Sequence, residues 1–255
     1  NHFFFVEDKE NKFGMIVLVD NRSPVSAPLG SVKQSMTQRL IEVLAAEQQE
    51  TRVVHTLAEV YGVDMSKVYS IILSGSAYRL SGCDDALKHI QPARMMISLA
   101  LKHGVPLLGI CFGWQLISFC FGGRVTACPG HTNESYNAQL SGDDNFDSVS
   151  VWAHHYDAVR VQHCPIPFRI LHARQQYVMT ADLPALKITG VQWHPEATDD
   201  GRRWLRRWLR QWLHPKKVGV VSEHSIQNPA FIEPETALKK TCSKVNKKNL
   251  HFSPR

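Results

Sequence analysis

The sequence predicts an α/β fold: a central, mostly parallel sheet with an antiparallel or mixed edge. Two observations carry this. Through the first half, short apolar runs of strand length alternate with segments whose apolar residues recur at helical spacing, the rhythm of βαβ units and right-handed crossovers. Through the second half the helices drop out, and short strands follow one another across polar turns, which calls for antiparallel neighbours.

The elements follow in order. Met15–Val19 is a first apolar strand. Val32–Glu47 carries Met36, Leu40, Val43 and Leu44 on one helical stripe. Arg52–His55 and Val68–Leu73 read as further strands, and Pro92–His103 as a helix with its proline in the first turn. Val105–Ile110 is the strand that leads to Cys111. Beyond it, Ser148–Trp152, Ala158–Val161, Phe168–Ala173, Tyr177–Thr180 and Leu186–Gln192 are short strands. Gly201–Leu213 closes the pattern as a helix, with Trp204, Trp208, Trp212, Leu205, Leu209 and Leu213 on one side and five arginines mostly opposite. Such a Trp/Arg helix also invites a membrane or nucleic-acid reading. A core-facing stripe with a solvated basic face accounts for it without either partner.

Composition narrows the class. The chain has 255 residues, 44% of them hydrophobic, enough for a full core. No run approaches the ~18 uninterrupted apolar residues of a membrane span. The start, Asn1-His2-Phe3-Phe4-Phe5-Val6, has neither the basic region nor the apolar length of a secretory signal. Residues 1–14 read as an N-terminal extension outside the fold. Six cysteines, at 83, 111, 120, 128, 164 and 242, show no Cys-x-x-Cys spacing. That argues against a zinc site or a disulfide scaffold and for a reducing, cytoplasmic setting. Residues 214–255 hold eight Lys/Arg against three Asp/Glu, so most of the net charge of +6 sits there. With its fading hydrophobic pattern this stretch reads as a basic, disordered tail, and the pI of about 9.0 says little about what the folded part binds.

Two runs carry chemistry. In Leu107-Leu108-Gly109-Ile110-Cys111-Phe112-Gly113-Trp114-Gln115 an apolar strand turns sharply at a cysteine and enters a helix. A thiol on such an elbow is presented at the C-terminal edge of a sheet, and the helix N-terminus behind it favours the thiolate. Gly109 and Gly113 stand where side chains would crowd the turn. In Gly190-Val191-Gln192-Trp193-His194-Pro195-Glu196 a histidine and a carboxylate lie two residues apart at the end of another strand. Together they supply a nucleophile (Cys111), a base (His194) and a group to orient the base (Glu196).

These strings resemble the signatures of the class I glutamine amidotransferases, and the stretch Val151-Trp152-Ala153-His154-His155-Tyr156-Asp157-Ala158-Val159 is similar to one in the amidotransferase domain of GMP synthases. The resemblance covers residues 15–213 and implies one amidotransferase domain with a flavodoxin-like sheet and its active site at the strand C-termini. It implies glutamine as substrate, Cys111 attacking the side-chain amide, His194 moving protons and Glu196 holding the imidazole. It further implies an oxyanion hole from backbone N–H groups of Phe112 and of the loop at Gly75-Ser76, and contact of Gln115 with the substrate amino acid. The expected partner is a separate synthetase subunit that accepts the ammonia, with no cofactor, metal, nucleic acid or membrane involved.

The sequence also departs from the family. The oxyanion loop commonly reads Ser-Gly-Gly-Pro, and here it is Ser74-Gly75-Ser76-Ala77. Trp114 replaces the His or Glu often found before the glutamine, with bulk expected to narrow the substrate pocket. Tyr156 stands where glycine is usual, and Asn137 where a glycine commonly follows tyrosine. These departures keep open a stand-alone hydrolase of γ-glutamyl peptides or amides, and more remotely a catalytically silent regulatory subunit. Cys83, Cys120, Cys128 and Cys164 are expected to be packing. His154, His155 and His163 lack the spacing of a metal ligand set and are expected to be structural.

Overall fold

In the computed structural model, residues 14–21, 32–47, 49–82, 89–138 and 148–213 are described. The N-terminal extension up to residue 13, the segment 22–31 and the basic tail from residue 214 lie outside them.

Strands β1 (Met15–Val19), β2 (Thr51–Val54), β3 (Val68–Leu73), β4 (Leu107–Ile110) and β9 (Ile188–Val191) form the parallel body of one sheet. Its edge is antiparallel: β8 (Tyr177–Leu183) on β9, then β7 (Arg169–Arg174). The order is β2-β1-β3-β4-β9-β8-β7. Strands β1, β3 and β4, inside the sheet, are buried on both faces, which is why they read as nearly unbroken apolar runs rather than alternating ones. Period-two geometry still sorts their side chains. Val17, Val19, Ile71 and Leu73 meet helices α3 (Gln91–His103) and α4 (Phe112–Cys120) through Met96, Ile97, Phe112 and Trp114. Ile16, Leu18, Ile72, Leu108 and Ile110 meet α1 (Val32–Ala46) and α5 (Asp199–Leu213) through Leu40, Leu44, Leu205 and Leu209. The tryptophans of α5 are therefore core: Trp204 stacks edge-on against Trp193 with ring centroids 5.0 Å apart, and Trp208 Nε1 donates to Thr189 Oγ1 at 3.0 Å.

Four features differ from the sequence expectations. Val125–Ala138 is a long strand, β5, that the sequence reading leaves unassigned. Ser148–Trp152 and Ala158–Val161 are one strand, β6 (Val149–Val159), and β5 and β6 pair as a separate two-stranded ribbon. The polar run His154–Asp157 reads as a break, but it alternates faces along a ribbon exposed on one side. A short helix, α2 (Leu57–Tyr61), follows β2, and its signal was present: Thr56 and Glu59 form a capping box, with Glu59 N–H donating to Thr56 Oγ1 at 3.2 Å and Thr56 N–H to the Glu59 carboxylate at 2.9 Å. Strand β9 also starts at Ile188 rather than Leu186, because Pro184–Leu186 make a 3-10 turn and Lys187 turns left-handed at φ 56°.

Trp114 corrects another expectation. It does not narrow a substrate pocket; it is wholly buried beneath α4. Its indole lies flat on β9, where a Cβ on Gly190 would come within 2.0 Å of the ring, and it meets Phe168 edge-on at 5.3 Å. Overpacking here has no flexible group to displace, so Gly190→Ala is expected to cost about 3 kcal/mol in urea unfolding. Adding Trp114→Phe is expected to recover part of that loss, a coupling that a double-mutant cycle reads directly.

Candidate active site

The C-terminal ends of β3, β4 and β9 converge on Cys111. Leaving β4, Cys111 adopts φ 52°, ψ −103°, a conformation few non-glycine residues hold. Such backbone strain costs on the order of 1–3 kcal/mol and persists only when the surroundings fix it. Here Cys111 N–H donates to Val191 O at 2.7 Å, and Gln115 N–H to Cys111 O at 3.1 Å. Gly113 lets α4 sit directly on β3: a Cβ there would lie 2.3 Å from Leu73 O. The thiol is thus held at the N-terminus of α4, beside the Phe112 N–H, which as the first helical amide has no carbonyl within the helix to receive it.

His194 enters from the end of β9. Its N–H donates to Trp152 O at 2.8 Å, tying the β9 exit to β6, and the preceding Trp193 is pinned by its Nε1 donating to Thr180 Oγ1 at 3.0 Å. Imidazole Nδ1 lies 2.8 Å from Glu196 Oε1, and both side chains are buried. Burial alone would depress the imidazole pKa. The Glu196 carboxylate and the Cys111 sulfur outweigh it and raise the value to about 10. The arrangement favours the charged imidazolium beside the sulfur.

Gly75, after β3, closes the third side. A Cβ there would sit 3.0 Å from His194 Cε1, 3.8 Å from its Nε2 and 3.6 Å from Cys111 Cβ, so only glycine leaves room for the imidazole beside the sulfur. The loop is stapled to Asn21: Asn21 N–H donates to Ser74 Oγ (3.0 Å), its Nδ2 to Ser74 O (2.7 Å), and Ser76 Oγ donates to Asn21 O (2.8 Å). Ser76 Oγ also receives Tyr78 N–H at 3.1 Å. The serine that replaces a family glycine therefore fastens this loop in place.

Gln115 is buried at the floor of the cleft. Its Nε2 donates to Asp157 O at 2.6 Å and to Gln192 Oε1 at 3.3 Å. Gln192 Nε2 in turn lies 3.6 Å from Cys111 Sγ, and His154 O lies 3.7 Å from the sulfur on the other side. The cleft is narrow and is bounded by Cys111, Gln115, Ser76, Arg79, Tyr156 and Asp157. The structure thus brings Cys111, His194, Glu196, Gly75, Ser76, Phe112 and Gln115 into one neighbourhood. Sequence reasoning missed Asn21, Gln192, Arg79 and Asp157. Gln192 lay inside the run that carries His194. Asp157 lay inside the Val151–Val159 stretch, on β6, and Asn21 and Arg79 come from loops with no motif of their own.

His155 is not a surface residue. It is buried in the β5–β6 ribbon, with Nδ1 3.7 Å from Cys128 Sγ. Burial first, then the neighbouring His194 and His154, lower its pKa to about 4.

Against known families, the chain matches the glutamine amidotransferase class-I model over residues 30–212, and it belongs to that family. It is 33% identical over 145 residues to a GMP synthase (glutamine-hydrolyzing) of Tropheryma whipplei, covering 54% of this chain but only 28% of that protein. It is 30% identical over 166 residues to a GMP synthase (glutamine-hydrolyzing) subunit of Methanococcoides burtonii, covering 60% of this chain and 78% of that one. An anthranilate synthase component 2 of Archaeoglobus fulgidus is 32% identical over 114 residues, covering 43% of this chain and 64% of that component. In fold, the chain is similar to a glutamine amidotransferase of Thermotoga maritima, with a TM-score of 0.56 at 19% identity, covering 92% of this chain and 94% of that one.

A histidine whose folded pKa lies below its unfolded value binds fewer protons in the native state between the two values. Acidification from pH ~6.5 to ~4 is therefore expected to draw about 3 kcal/mol of stability through His155, the equivalent of some 2.5 pKa units. Urea unfolding across that range should show this slope, and His155→Gln should flatten it.

Proposed function

We propose that this class-I glutamine amidotransferase hydrolyses the side-chain amide of glutamine and passes the ammonia to an acceptor on a separate synthetase subunit. The observation that carries the proposal is the meeting of Cys111, backed by a helix N-terminus, with the buried His194–Glu196 pair across Gly75. In this reading the Cys111 thiolate adds to the amide carbon. The oxyanion that forms faces the Phe112 N–H and the Gly75-Ser76 loop, where fixed donors favour developing charge. The His194 imidazolium gives its proton to the departing nitrogen, so ammonia leaves and a γ-glutamyl thioester remains. The imidazole then takes a proton from water as the oxygen attacks the thioester. The C–S bond breaks, and glutamate and the thiol are restored. Glu196 fixes which nitrogen of His194 faces the sulfur and stabilises its charged form.

The similarity to a free-standing GMP synthase subunit, that of Methanococcoides burtonii, supports XMP as the acceptor, aminated on a partner carrying the ATP-dependent chemistry. The loop Ser74-Gly75-Ser76-Ala77 favours a second reading, hydrolysis of other γ-glutamyl amides or peptides without a synthetase. Trp114 gives that reading no support, because it packs under α4 rather than into the cleft.

Glutamine-dependent release of glutamate and ammonia is expected from the isolated protein or from its complex with the synthetase, with GMP formed only in the complex. Cys111→Ala should abolish release, by at least about 10³-fold in kcat. Glu196→Gln should lower kcat by about 10²- to 10⁴-fold with little change in KM, since it removes charge stabilisation and tautomer control rather than substrate contact. It should also let the His194 pKa fall, because the carboxylate is the foremost influence holding it up. Faster turnover of a γ-glutamyl dipeptide than of glutamine would decide for the second reading.

A further inference from the structure

The mouth of the Cys111 cleft carries one permanent cation among the described residues, Arg79. It lies beyond the family's signature strings, in a loop whose sequence here departs from the family pattern. Its guanidinium is set rather than loose. Nε donates to Asp157 Oδ1 at 3.2 Å, and Nη2 lies 3.1 Å from the same oxygen. Asp157 is buried and also receives Ser81 Oγ at Oδ1 (2.7 Å) and Ser81 N–H at Oδ2 (2.9 Å), so both its oxygens are engaged by this loop. The Arg79 side chain remains 49% exposed, with Cζ 5.7 Å from the centre of the Tyr156 ring. The result is a planar cation at the cleft rim, with one edge anchored to Asp157 and the Nη1 side outside that pair. A fixed fork of this kind matches a carboxylate and loses little freedom on binding it.

Arg79 lines the same cleft as Cys111, together with Gln115, Tyr156 and Asp157, so an acyl donor whose amide carbon reaches the sulfur enters past this cation. The geometry points to Arg79 as the residue that selects donors with a free α-carboxylate: γ-glutamyl compounds whose amino-acid head is intact, whatever amine leaves. Asp157, buried and engaged at both oxygens by the Arg79–Ser81 loop, is the positioning residue that holds Arg79. This rests on the reading of Cys111 as the nucleophile of an amidotransferase. It adds the group that recognises the far end of the donor.

The test measures covalent capture of Cys111 by intact-protein mass. One reagent is a diazoketone that keeps the α-amino-acid head of glutamine, and the other is the same diazoketone without the α-carboxylate. Wild type is expected to react about 10- to 100-fold faster with the first, the range of a charge-assisted bidentate contact. Arg79→Met should erase that preference by slowing only the first reagent, and Arg79→Lys should restore part of it. Iodoacetamide labelling of Cys111 and circular dichroism report whether each variant keeps its fold and thiol. With glutamine itself, Arg79→Met should raise KM with kcat little changed. A wild type without preference, or an undiminished preference in folded Arg79→Met and Arg79→Lys, overturns the proposal. An Arg79-dependent preference without glutamine hydrolysis, alone or with a synthetase, leaves the selectivity standing and removes the glutaminase reading instead. Failure of both reagents to label Cys111 removes both.

Discussion

The close seating of helix α4 on the sheet is the constraint from which the rest of the site follows. Gly113 allows the helix backbone to touch Leu73 at the end of β3, and the Trp114 ring fills the space over Gly190 on β9. With both contacts made, the chain between β4 and α4 has no slack. Cys111 is held in its uncommon backbone conformation and its amide is tied to Val191. The same contacts fix where β9 ends relative to the sulfur, and hence where His194 emerges. Packing that looks remote from the chemistry therefore sets the sulfur–imidazole geometry. A rigid elbow of this kind keeps its cost in the folded state and presents the sulfur in one fixed orientation.

Electrostatics completes what packing begins. His194 and Glu196 are both buried, a setting that ordinarily penalises charge on either. Their 2.8 Å contact and the adjacent sulfur reverse the penalty for the imidazole and drive its pKa up. A raised imidazole alone would be a poor base. Held charged beside the Cys111 sulfur it is placed instead to act as an acid. His155, in the neighbouring ribbon, shows the opposite balance: burial, then the nearby His194 and His154, outweigh the Glu134 carboxylate and keep it neutral. The two histidines thus differ in charge at neutral pH, set by how closely a carboxylate compensates the burial of each ring.

Much of this was legible in the sequence because the parallel strands and their crossover helices have strong periods. The two chemical runs also lie contiguous in the chain, each at a strand end. The ribbon β5–β6 was not legible. Val125–Ala138 contains Pro129 and Gly130, and its register shifts between Ala127 and Thr132, so alternation is interrupted where a strand would be recognised. Trp114 was misplaced because sequence order gives its neighbourhood to the nucleophile but not its direction. On a helix the next residue points about 100° away, and here that is into the sheet. Asn21 and Arg79 were invisible for a third reason: each acts through loop contacts with residues more than fifty positions away, for which a single sequence has no local signal.

The departures from the family pattern acquire physical meaning once placed. Ser76 replaces a glycine, yet its hydroxyl binds Asn21 O and receives Tyr78 N–H, so the loop gains an anchor where the family has conformational freedom. Tyr156 also replaces a glycine, and its ring lies under the Arg79 guanidinium while stacking on His131. Both substitutions exchange backbone adaptability for side-chain contacts around the cleft mouth. A rim built this way meets what enters the cleft with a pre-set geometry rather than by closing around it. Trp114 departs from the pattern elsewhere, buried under α4 against Gly190, so the departures serve the core as well as the cleft mouth.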